Sequence, residues 1–120
     1  MSRGEELLLI QLRAAGYPEP VRQHPFKLPP KAPGRPRRTV HLDLAYPDLL
    51  LAVEVQGGTW SGGTHVRGAG YAANCEKATR LQIAGWLVVT ATTDQVESGL
   101  ALALIEEALA ARHDAARAVG

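Results

Sequence analysis

Asp43, Glu54 and Gln56 are the residues whose types and spacing could do chemistry. Residues 49–56 read Leu-Leu-Leu-Ala-Val-Glu-Val-Gln, apolar until the end. That is how a strand covered on both faces looks. Residues two apart on a strand share a face, so Glu54 and Gln56 project together while Val53 and Val55 face the opposite layer. Tyr46-Pro47-Asp48 interrupts the strand formers and predicts a hairpin over residues 39–56, which folds Asp43 back beside the other two. Carboxylates converging at a sheet end repel and raise each other's proton affinity. A divalent cation removes that penalty, and carboxylate oxygens with retained waters suit magnesium. An ion held there can polarise a phosphoryl oxygen and activate a water. The plainer reading of the trio is ordinary hydrogen bonding at a sheet rim.

Other elements must hold these residues in place. Leu8, Leu9, Leu12 and Ala15 predict a helix over 5–15, capped by Ser2 and stopped by Gly16, Pro18 and Pro20. Residues 21–28 read as a weak strand that Pro25 confines to an edge. Residues 29–36 form a proline- and cation-rich exposed loop. Residues 57–70 carry six glycines with Trp60, His65 and Arg67. A helix over 71–84, a strand over 86–91 and a last helix to about residue 112 follow. The last helix is expected to be capped by Thr93 or Asp94 and to bury Val96, Leu100, Leu104 and Ile105. This order predicts an α/β fold, a small mixed sheet flanked by helices in one domain over residues 1–120.

Thirteen basic and twelve acidic residues nearly cancel, but no acid stands between Glu19 and Asp43. That interval holds Arg22, Lys27, Lys31, Arg35, Arg37 and Arg38. A segregated basic arm fits either a polyanion partner or a solvated loop. Cys75, the single cysteine, excludes an internal disulfide and a multi-cysteine zinc site, and is expected as a small core residue. No apolar run approaches the length of a membrane span, and no charged-then-apolar leader opens the sequence. A cytoplasmic setting without membrane attachment is the expectation.

The pattern Asp43 … Glu54-Val55-Gln56, on a hairpin after a helix bearing Glu5, resembles the PD-(D/E)xK nuclease superfamily. The wider text looks closer still to small phage and bacterial endonuclease-domain proteins related to very-short-patch-repair endonucleases. It runs Leu42-Asp43-Leu44-Ala45-Tyr46-Pro47, Leu51-Ala52-Val53-Glu54-Val55-Gln56-Gly57-Gly58, Gly63-Thr64-His65-Val66-Arg67-Gly68, Asn74-Cys75-Glu76-Lys77 and Gly85-Trp86-Leu87-Val88-Val89. The resemblance spans roughly residues 5–109. It implies an αβββαβ restriction-endonuclease-like core and a metal-dependent DNA endonuclease. Asp43 and Glu54, with the Val55 carbonyl, would hold Mg²⁺, with Mn²⁺ as a substitute. Glu5 would match the acid some members bring from the first helix. Members that resolve four-way (Holliday) DNA junctions work as homodimers, which by analogy suggests a homodimer acting on branched DNA in repair or recombination.

One departure matters. The family's third position is usually Lys, and here it is Gln56. A glutamine amide orients water by hydrogen bonds but supplies no charge. Lys77, Arg80, His65 and Arg67 are the candidates for the missing cation. In this context the basic arm from Arg22 to Arg38, with Arg67 and Lys77, becomes the expected DNA-binding set. Two rivals remain on the same fold. One is a mismatch- or sequence-directed nicking endonuclease; the other is a decayed DNA-binding protein. A third is a protein-interaction domain with incidental acids.

Overall fold

The computed structural model describes residues 2–56 and 69–119. The chain forms α1 (Arg3–Ala14), β1 (Val21–Leu28), β2 (Arg38–Tyr46), a 3-10 turn (Pro47–Leu49), β3 (Leu51–Gln56), α2 (Ala69–Ile83), β4 (Leu87–Thr92), α3 (Thr93–Ser98) and α4 (Leu100–Val119). The strands lie in the order β1-β2-β3-β4. The first three are antiparallel in sequence, and β3 pairs parallel with β4. A mixed sheet flanked by helices is therefore the observed architecture.

Two apolar clusters sandwich the sheet. Leu8, Leu9 and Leu12 of α1 meet Leu51, Val53 and Val55 of β3, with Val96 of α3 and Ile105 of α4 closing the same cluster. On the other face, Leu81 of α2 packs with Leu42, Ala45 and Ala52, and Trp86 and Phe26 lie against them. Val53 and Val55 thus turn away from the α2 layer, as the strand period requires. The α2 layer is thin: Leu81 is buried, whereas Tyr71 and Ile83 are exposed.

The N-terminus of α1 is fixed by a capping box. The Ser2 hydroxyl accepts the Glu5 N–H, and the Glu5 carboxylate accepts from the Ser2 backbone N–H. Beside it, Gly4 is tightly enclosed. A Cβ there would stand 2.8 Å from Val55 Cγ1 and 2.9 Å from Thr93 Oγ1. Valine is stiff at χ1, so the clash cannot be relieved by a simple swing. Gly4→Ala is expected to cost about 1–3 kcal/mol of stability, the usual range for overpacking, in a denaturant titration. An unchanged midpoint would show that α1 does not press on β3 in solution.

The basic hairpin has a built tip. Arg35 N–H donates to Ala32 O at 3.2 Å, with Pro33 and Gly34 between them and Gly34 at φ +82°. Proline then glycine with positive φ is the chemistry of a type II turn.

Several expectations are corrected. The last helix is two helices, because Gly99 at φ +89° ends α3. Its cap is Thr92, which shares a capping box with Gln95, and not Thr93 or Asp94. Val96 and Ile105 are buried as expected, but Leu100, at the break, is 45% exposed. Cys75 is exposed on α2 because the helix turns its Leu81 side inward. Among the described residues, no helix is long and apolar enough to cross a membrane.

Candidate active site

The regular β2–β3 ladder ends at Leu44↔Val53. One residue further, side chains take over the pairing. Asp43 N–H donates to Glu54 Oε2 at 2.8 Å, and Val55 N–H donates to Asp43 Oδ2 at 2.9 Å. Each acid thus anchors in the backbone of the other strand, and the two carboxylates meet where the strands part. The face alternation of β2 also slips here. Leu42 and Ala45 share the α2-side cluster, whereas Leu44 and Tyr46 lie on the opposite side.

β1 contributes from across the sheet. Arg22 and His24 pair with Leu44 and Leu42, which leaves Gln23 facing Asp43 at φ +51°. A non-glycine residue in that region costs on the order of 1–3 kcal/mol. The Gln23 side chain is close enough to Asp43 to lower its proton affinity slightly. Strain in β1 therefore coincides with a contact to the acid.

α2 supplies the remaining wall. Asn74, Lys77, Ala78 and Leu81 fall at helical spacing on one face. With Glu54, Gln56, Val88 and Thr90 they line a small cavity of about 50 Å³. Lys77 Nζ ion-pairs with Glu54 Oε1 and donates to the His41 carbonyl at 2.8 Å. The Lys77 and Glu54 side chains are only 19% and 12% exposed.

Burial pushes the Asp43 carboxyl above its ordinary value; the Val55 N–H opposes this, Glu54 adds to it, and Lys77 and Gln23 pull back. Loss of solvent and a like charge thus outweigh the hydrogen bonds and the ammonium. A centre of this kind attracts positive charge. Its donors, two carboxylates held side by side, are the hard oxygens that Mg²⁺ or Mn²⁺ takes. Lys77 already stands in the cation's role for Glu54. The residues fit a divalent ion.

The remaining expected site residues are placed as follows. Glu5 is 7% exposed. Its Oε2 accepts from Ser2, and its Oε1 is buried without a partner among the described residues. α1 presses on Val55 through Gly4, so Glu5 lies on the far side of β3 from the α2 wall. Among the described residues, no three His, Cys, Asp or Glu side chains come close enough to share an ion. In this arrangement Glu5 serves as the capping residue of α1. His65 and Arg67 lie outside the described residues.

The basic arm divides in two. Arg38 is engaged: its Nε donates to Pro29 O at 2.8 Å, and its fork grips Glu76 at 3.2 and 2.8 Å. Arg80 also meets Glu76, at 3.6 Å, which takes it out of the acid pair. Lys27 Nζ donates to Thr39 Oγ1 at 2.7 Å. Lys31 and Arg35 line an open groove with Ala32, Pro36 and Arg38. Arg37 is exposed beside it, and Arg22 is exposed on β1. Gln23, Asn74 and Thr90 are the site residues that sequence reasoning missed. Asn74, one helical turn before Lys77, is the one detectable signal among them. Comparison of the chain with protein-family models, with curated proteins and with solved structures returns no match in any of the three.

Proposed function

We propose that this chain is a divalent-metal-dependent DNA endonuclease of the PD-(D/E)xK type, built on an αβββαβ core. The observation that carries the reading is the reciprocal anchoring of Asp43 and Glu54, which fixes two acids side by side at the end of one ladder. Asp43, Glu54 and the Val55 carbonyl would hold Mg²⁺, which supplies polarisation of a phosphoryl oxygen and a more acidic water. Gln56 lines the cavity beside Glu54, where its amide can hold a water by hydrogen bonds. That water attacks phosphorus in line, and the bond to the leaving oxygen breaks. The cations of the β1–β2 hairpin hold the sugar-phosphate backbone without reading bases.

The substrate is structured DNA, with four-way and other branched junctions first. The reading is supported by the exposed cations on the β1–β2 hairpin, which suit backbone contacts that carry no base information. A homodimer would place two sites on paired strands. The test is a panel of junction, flap, mismatch and linear duplex DNA, with and without Mg²⁺ or Mn²⁺. Metal-dependent cutting with junctions preferred supports the proposal. Preference for mismatched or sequence-defined duplex would replace the substrate assignment, and binding with no products under either metal would leave a DNA-binding protein.

A further inference from the structure

We propose that Lys77, delivered from α2, performs the task that a lysine at the position of Gln56 would perform. It is the ammonium that meets the scissile phosphate. The inference rests on the nuclease reading above and adds the residue that reading lacks.

Three observations converge. Gln56 puts a neutral amide beside Glu54, so β3 brings no cation to the site. Lys77 enters the same cavity from the helix opposite, and its Nζ touches Glu54 Oε1. Of the other described candidates, Arg80 is drawn to Glu76, which Arg38 also grips. The Glu76 cluster sorts the cations: two arginines go to Glu76, and the adjacent lysine is left to the acid pair.

The position has a physical cost. Holding an ammonium 19% exposed carries a desolvation penalty. Glu54 and the His41 carbonyl offset it in the free protein. Lysine is a compact charge on a flexible four-carbon stem, so the same side chain can serve two partners a few ångströms apart. A divalent ion held at Glu54 would take over the ammonium's place there and leave Lys77 free to reach a phosphoryl oxygen of the substrate. There it stabilises the charge that grows as water adds. Lys77 therefore competes with the ion for Glu54 before catalysis and complements it afterwards.

The test uses the full chain with Lys77→Met, Lys77→Arg, and Lys77→Met combined with Gln56→Lys. Lys77→Met is expected to cut the preferred substrate about 100-fold more slowly, the scale of losing one transition-state donor. The salt slope of DNA binding in Ca²⁺ is expected to fall by no more than about 1 unit, the share of a single phosphate contact. Moving the lysine back to the strand with Gln56→Lys is expected to restore at least about 10-fold of the lost rate. Mn²⁺ binding followed by electron paramagnetic resonance should tighten several-fold in Lys77→Met, and less in Lys77→Arg. Full-rate cutting by Lys77→Met, failure of Gln56→Lys to rescue, or unchanged Mn²⁺ affinity would each overturn the assignment. A wild-type protein that cuts nothing would sink the nuclease reading itself, and the phosphate role of Lys77 with it.

Discussion

Asp43→Asn and Glu54→Gln are each expected to lower the rate of the proposed DNA cleavage by at least about 10³-fold, equivalent to about 4 kcal/mol in the barrier. Both substitutions keep the shape of the side chain and remove an anionic oxygen. In Asp43→Asn the new amide oxygen can still accept the Val55 N–H that Asp43 Oδ2 accepts, so the strand end survives. What is lost is the negative charge that attracts a hard cation. DNA affinity is expected to hold or rise, because removing an acid near a polyanion relieves repulsion. Loss of binding in parallel with cleavage would instead make the acids structural.

The two variants differ in stability, and the sign follows from the electrostatics. Asp43 titrates above its ordinary value in the fold, chiefly through burial. The folded state therefore binds a proton more readily than the unfolded state does. Its carboxyl favours folding in acid, and that advantage is lost as pH rises from the ordinary Asp value through the raised one. At neutral pH the ionised group opposes folding. Asp43→Asn is expected to be as stable as the wild type, or more so by on the order of 1 kcal/mol, with the gain vanishing in acid. Thermal melts at pH 7 and in acid measure this. Glu54→Gln strips Lys77 of its ion pair and gains nothing comparable.

The second large effect concerns DNA affinity. Replacing Lys31, Arg35 and Arg37 together with Gln is expected to weaken binding on the order of 10²-fold at moderate salt. It should also flatten the dependence of log K on log salt by about 2–3 units, as three lost phosphate contacts require. Core stability should not change, because these residues are exposed around the Pro33-Gly34 turn. Arg38 belongs to a different class. It is half-buried in its grip on Glu76, so Arg38→Gln is expected to loosen α2 and the site with it. An unchanged salt slope in the triple variant would move the nucleic-acid surface away from the hairpin.

The sequence carries more of the strands than of the site walls. The apolar run ending at Glu54 and Gln56 announces a central strand, and Pro25 announces an edge; β3 and β1 occupy those places. The reversal at Tyr46-Pro47-Asp48 is legible because proline pre-sets a turn. Gly99 reads as helical because one glycine inside a periodic pattern costs only about 1 kcal/mol there, and nothing local announces the left-handed conformation that ends α3. Gln23 is invisible for another reason. Its inverted backbone stands opposite Asp43 in the ladder, a relation that its neighbours in the chain do not announce. The choice among cations is likewise tertiary. Arg38, Arg80 and Lys77 look alike in a sequence, and only the position of Glu76 separates them.

A Mn²⁺ titration of the wild type and of Asp43→Asn, read by electron paramagnetic resonance, bears on the acid pair without any substrate. The geometry of Asp43 and Glu54 predicts a bound-ion signal in the wild type that is lost, or weakened by at least about 10-fold, in Asp43→Asn, on the scale expected when a ligand is removed. No binding by the wild type, or equal binding by both proteins, would contradict a metal site at the end of the β2–β3 ladder.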